Sequence, residues 1–125
     1  MQEFLLEQST IQADGTGPEI ALGSSPATHL KVTLGITRIV EQESLDVSIW
    51  GSPDKVAWGS KPLFSFPQKF YCGHYTLFAD LTSHPETQYL QVRWKAHRWG
   101  RGEPKPLFTI YVFAETVQAN QATAA

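Results

Sequence analysis

Leu30-Lys31-Val32-Thr33-Leu34-Gly35-Ile36-Thr37 is the stretch that decides the fold. Apolar side chains alternate with small or polar ones. Successive side chains of a strand point to opposite faces, so a period of two means one dry face and one wet face. The pattern returns twice. Leu45, Val47 and Ile49 alternate with Ser44, Asp46 and Ser48, and Leu90, Val92, Trp94 and Ala96 alternate with Gln91, Arg93, Lys95 and His97. No stretch carries a helical repeat. The expected fold class is therefore all-β, an antiparallel, jelly-roll-like β-sandwich of seven or eight strands with turn signals about every ten residues.

A chain of 125 residues is one domain by length and can bury a core without crosslinks. The single cysteine, Cys72, has no internal partner, which fits a reducing compartment, and it is expected to be a buried structural thiol. The start Met1-Gln2-Glu3-Phe4 does not read as a signal peptide, and no apolar run is long enough to span a membrane. The expected location is the cytoplasm or a virion-like particle. Net charge is −2 but unevenly spread. Residues 1–50 hold seven acids against Lys31 and Arg38, whereas residues 93–105 hold Arg93, Lys95, Arg98, Arg101 and Lys105 against Glu103. The split suits a match between neighbouring copies, a nucleic-acid patch or a solvated hairpin.

Along the chain, residues 1–27 read as an N-terminal strand and arm, 28–116 as the sandwich and 117–125 as a flexible tail. Phe4 to Ile11 is one predicted strand. The clusters Asp14–Pro18 and Gly23–Pro26 are loops, with Glu19–Leu22 a strand or extended arm between them. Further strands are expected over Thr28–Val40, Ser44–Trp50, part of Trp58–Phe66, His74–Leu81, Thr87–His97 and Pro106–Glu115. The apolar phase slips after Ile36, which predicts a bulge. In Gly51-Ser52-Pro53-Asp54, Pro presets φ and Asp can bond its own following backbone, the chemistry of a turn.

Catalytic and metal signatures are absent. His29, His74, His84 and His97 have no ligand spacing, and no nucleophile, phosphate-loop or dinucleotide motif occurs. Glu41 and Glu43 fall in an expected turn and read as solvated charge. The expectation is a protein that is not an enzyme, with no catalytic residues, cofactor or metal. Two groups of residues remain. The last strand is apolar on both faces, with Phe108, Ile110, Val112 and Ala114 against Leu107, Thr109, Tyr111 and Phe113. Its second face needs a cover, either the N-terminal segment with Phe4, Leu5 and Leu6 or another subunit. The candidate subunit interface is accordingly Phe4, Leu6, Leu107, Tyr111 and Phe113, with Trp99, Arg98 and Arg101 from the basic loop. The second group is Trp50, Trp58 and Trp99, in or near loops. Such aromatics stack on ligands, anchor protein contacts or cap sandwich ends.

The segments Ser44-Leu45-Asp46-Val47-Ser48-Ile49, Gly51-Ser52-Pro53-Asp54 to Trp58, Phe66-Pro67-Gln68, Tyr89-Leu90-Gln91-Val92-Arg93-Trp94 and Pro106-Leu107-Phe108-Thr109-Ile110-Tyr111-Val112 resemble a pattern of small β-sandwich proteins among phage and prophage-like virion components. The match covers about residues 30–115 and departs at Glu41–Glu43 and in the Arg98–Lys105 loop. The resemblance implies a structural, self-associating role. The expected function is thus a non-enzymatic structural protein that self-associates, a virion-like or particle-forming subunit. A carbohydrate- or ligand-binding module using Trp50, Trp58 and Trp99 is the alternative. The expected partners are further copies of the chain and other structural proteins, with no membrane and no nucleic acid.

Overall fold

The computed structural model describes residues 2–22, 29–40, 43–99 and 105–117. Nine strands appear in chain order: β1 (Gln2–Ile11), β2 (Gly15–Thr16), β3 (Ile20–Ala21), β4 (His29–Ile39), β5 (Glu43–Ser52), β6 (Phe64–Ser65), β7 (Gly73–Asp80), β8 (Tyr89–Arg98) and β9 (Phe108–Thr116). They form two antiparallel sheets. One has the order β1-β9-β4-β7, and the other runs β2-β8-β5-β6 with β3 also on β8. Consecutive long strands from β4 onward alternate between the sheets, except that β6 stays with β5, so the arrangement is the expected antiparallel β-sandwich. The ninth strand is β2; β3 and β6, also two-residue pairings, fall within the expected Glu19–Leu22 and Trp58–Phe66 segments. A pairing that short is set by its partner strand and not by a local alternation.

The period-two residues fill the space between the sheets. Leu30, Val32, Leu34 and Ile36 of β4 meet Leu45, Val47 and Ile49 of β5, Leu90 and Val92 of β8, and Phe108, Ile110, Val112 and Ala114 of β9 in one core. The register of β4 with β9 slips between Ile36 and Arg38, where the sequence predicted a bulge. The turn at Asp54 also forms as expected, its Oδ1 accepting the N–H groups of Val56 and Ala57, both at 2.9 Å.

The N-terminal segment is built into both sheets. β1 pairs with β9, and two register shifts, between Phe4 and Leu6 and between Leu6 and Ser9, insert extra residues. The first bulge turns both Leu5 and Leu6 inward, at 0% and 7% exposure. The chain then crosses to the other sheet, where Gly15 and Thr16 pair with Trp94 and Arg93, and Ile20 and Ala21 pair with Leu90 and Tyr89. Gly15 is needed at this crossing, because a Cβ there would meet the Trp94 indole at 2.8 Å. Ile11 and Leu22 join Leu5 and Leu6 in the core. The segment therefore straps the two sheets together, and β1 lies beside the last strand, one of the two covers the sequence offered for it. Of the C-terminal tail, Val117 is tied by its N–H to the His29 carbonyl at 3.0 Å, and residues from 118 onward lie outside the described residues.

Two sequence expectations are corrected. Glu43 is 1% exposed and is no solvated turn residue. Its Oε2 accepts the Val40 N–H at 3.0 Å and its Oε1 the Leu107 N–H at 2.9 Å. One carboxylate thus holds the β4–β5 corner to the approach of β9, and burial is tolerated because both oxygens have donors. Cys72 is exposed, not a core thiol. It follows the last buried residue of its loop, Phe66, and precedes β7.

Candidate functional site

Three surfaces carry the residues singled out by sequence. The first is the outward face of the β1-β9-β4-β7 sheet. Tyr111 and Phe113 point outward from β9, and Phe4 of β1 lies edge-on to both, with ring centroids 4.9 Å from Phe113 and 6.0 Å from Tyr111. The Tyr111 ring lies over Gly35 of β4, where any Cβ would collide with it, and reaches His74 of β7 at 5.9 Å. Phe4 remains 44% exposed. The N-terminal segment therefore supplies only part of the cover that the second face of β9 requires. Two members of the expected interface do not belong here. Leu6 is buried in the core through the β1 bulge, and Leu107 precedes β9 with its N–H committed to Glu43.

The second surface lies at one end of the sandwich. Trp99 is 53% exposed, stacked on His97 at 6.0 Å and edge-on to Phe70 at 6.1 Å. Arg98 ends β8 opposite Glu43, and Arg101 lies outside the described residues. Trp99 and Arg98 are thus placed apart from the Phe4–Tyr111–Phe113 face, on the other sheet.

The third surface is the outward face of the β2-β8-β5-β6 sheet. Trp50 and Trp58 are brought together around Arg93, whose guanidinium carbon lies 4.3 Å from the Trp50 ring and 5.6 Å from the Trp58 ring. Trp99 takes no part, so the three tryptophans do not form one platform. Arg93 is further held by Nε donating to Gln91 Oε1 at 3.1 Å, and Trp50 Nε1 donates to Ser48 Oγ at 2.9 Å. Beside this stack a cleft of about 420 Å³ runs across β2, β8 and β5. Sequence reasoning singled out Trp50 here but missed Arg93, Asp14 and Asp46. For Asp46 and Arg93 the signal was the alternation itself, which puts Asp46, Ser48, Arg93 and Lys95 on the wet faces of two strands; Asp14, in a loop, carried none.

The charge split is bridged in part within one chain. Strand register sets Asp46 beside Lys95 and Glu43 beside Arg98, two of the seven acids of residues 1–50 against two bases of residues 93–105. Two other carboxylates are tuned by local donors. The Ala57 and Val56 N–H groups hold Asp54 below its ordinary pKa, with help from the Ser52 hydroxyl. Asp80 at the end of β7 is lowered by the Thr82 hydroxyl first and the Thr82 N–H next, and then by the charge of His29, 3.7 Å away. Among the described residues no group of three or more metal-ligating side chains gathers.

No protein-family model matches the chain, and no curated protein matches it. Among solved structures the chain is similar to the SPBc2 prophage-derived protein YomS, with a TM-score of 0.51, 9% sequence identity and 92% of each chain covered. At that identity the likeness is one of fold alone. It extends over nearly all of both chains, and the phage-type resemblance read from the sequence has a counterpart in a sandwich of prophage origin.

Proposed function

We propose that this protein is a non-enzymatic structural subunit of a phage-type assembly, and that it self-associates by extending its four-stranded sheet, β7 against β7 of a second copy. The observation that carries this reading is the β7 edge, which no other strand pairs among the described residues. Exposed strand edges invite pairing, and proteins blunt them with bulges, prolines, charges or short strands. β1, at the opposite edge, is bulged twice and carries Glu3 and Glu7. β6 is two residues long and stands between Pro62 and Pro67. β7 runs through eight uninterrupted pairs with β4, and Gly73–Asp80 contains no proline or lysine.

The β7 strand is also self-complementary. An antiparallel two-fold centred on Leu77 sets His74 opposite Asp80 of the partner subunit, and Thr76 opposite Phe78 of the partner subunit, all on the outward face. A His74 ring N–H can donate to that carboxylate directly across the pair. Leu77, Tyr75 and Ala79 stay on the core side, so the pairing leaves both cores unchanged. A joined sheet would also unite two Phe4–Tyr111–Phe113 faces into a larger apolar surface for further structural partners. The fold likeness to a prophage-derived protein supports the phage-type setting.

Light scattering across a concentration series tests the reading. The full chain is expected to be a dimer or larger. Thr76→Lys places a charge on the exposed outer face of β7 and is expected to give a monomer with an unchanged circular dichroism spectrum. A wild-type monomer at all concentrations, or assembly unaffected by Thr76→Lys, contradicts it.

A further inference from the structure

The cleft on the opposite sheet points to a different partner and does not depend on self-association. We infer that it is a binding site for a neutral saccharide. Its lining includes the indoles of Trp94 and of Trp50, one face of which carries the Arg93 guanidinium, apolar surfaces of the kind the C–H face of a pyranose ring covers. The lining also combines two carboxylates, Asp14 and Asp46, with two cations, Arg93 and Lys95. Thr16 and Ser48 add hydroxyls. The volume, about 420 Å³, lies in the lower part of the range of small-molecule sites.

The polar groups are held in place and only partly used. Asp14 accepts the Ala96 N–H through Oδ1 at 2.9 Å, and Asp46 accepts Gln68 Nε2 through Oδ2 at 3.1 Å. Each carboxylate is oriented by one oxygen and keeps the other for a ligand. Arg93 is fixed by its stack on Trp50 and by its Nε bond to Gln91, while its terminal nitrogens have no protein acceptor among the described residues. Asp46 and Lys95 are opposite each other in register, yet no ion pair within 4.0 Å joins them. Carboxylates only accept and guanidinium and ammonium groups only donate. A ligand that satisfies both sets within one small cleft must offer donors and acceptors side by side. Vicinal sugar hydroxyls do so, because each both donates and accepts. The balance of two negative and two positive side chains disfavours a phosphorylated or sulfated ligand, whose charge would face Asp14 and Asp46 as well as Arg93 and Lys95.

The test is a titration of the full chain with soluble gluco-, manno-, galacto- and N-acetylglucosamine oligosaccharides, read on the Trp50 indole N–H resonance. At least one of these sugars is expected to shift that resonance at millimolar concentration. Asp46→Asn, at an exposed position that keeps the fold, is expected to weaken binding roughly tenfold; read by titration calorimetry, since they lack that resonance, Trp50→Ala is expected to abolish binding and Trp50→Phe to retain part. Thr76→Lys is expected to bind as the wild type does, which separates this site from the β7 edge. The inference is overturned if no member of the series shifts the resonance, if Asp46→Asn binds unchanged, or if dextran sulfate binds more tightly than the neutral sugars.

Discussion

The two edges of the four-stranded sheet are finished in opposite ways. β1 closes its edge with two bulges, acidic side chains and an aromatic residue, Phe4, folded over the neighbouring strand. β7 leaves its edge straight and in register along its whole length. Both strands bury apolar residues on the core side, so the difference is not one of core packing. It lies in the outward-facing residues and the backbone path, the features that govern whether another strand can add. The contrast teaches that the N-terminal strand, for all its apolar content, is a finished part of the domain, and that any connector is better sought at β7.

Removing β1 to β3 is the severest way to break this contrast. Deletion of residues 2–22 takes Leu5, Leu6, Ile11 and Leu22 from the core. At about 1.5–3 kcal/mol for each buried side chain, the loss rivals the whole stability of a small domain, about 5–15 kcal/mol. The truncated chain is expected to be unfolded by circular dichroism and near-ultraviolet signal. A cooperative thermal transition in that chain would mean that the segment is an arm after all.

A smaller effect is expected between the two edges. Gly35 of β4 lies under the Tyr111 ring, and a Cβ there cannot be accommodated unless the ring moves. Gly35→Ala is expected to cost about 1–3 kcal/mol in chemical denaturation, as overpacking does. It should also disturb the Phe4 contact on the β1 side and the His74 contact on the β7 side. A neutral substitution would show that the aromatic face is loosely packed.

The smallest effect concerns pH at the end of β7. The folded-state pKa of Asp80 lies below the unfolded value, so its contribution is present above the unfolded pKa and is lost as pH falls through the folded one. Acidification below about pH 4, the ordinary carboxylate range, is expected to release the Thr82 N–H and fray the β7–β8 turn. An amide titration of Thr82 checks this, and Asp80→Asn should remove the titration. A Thr82 amide that titrates equally in Asp80→Asn would assign the effect elsewhere.

Sheet content was legible because half-buried strands write their burial into every second residue, from Leu30 to Ile36 and from Leu90 to Ala96. The bulge after Ile36 was legible as a slip in that phase. β2 was not, since Gly15 and Thr16 carry no alternation and pair only because β8 passes beside them. Glu43 was misread because its second donor, the Leu107 N–H, lies far along the chain, and only tertiary approach shows that both oxygens are satisfied. Trp50 was found as a tryptophan beside a loop. Its partner Arg93 and the two aspartates emerge only once register sets β2, β8 and β5 side by side. Trp99 was grouped with Trp50 and Trp58 by residue type, and folding places it with His97 and Phe70 instead.

Hydrogen exchange at low and high protein concentration tests the central claim most directly. The β7 residues whose amide groups do not bond to β4 face the open edge, and their protection should rise with concentration while that of β1 stays constant. Rising protection at β1, or exchange at the β7 edge that is independent of concentration in an assembled sample, would contradict pairing through β7.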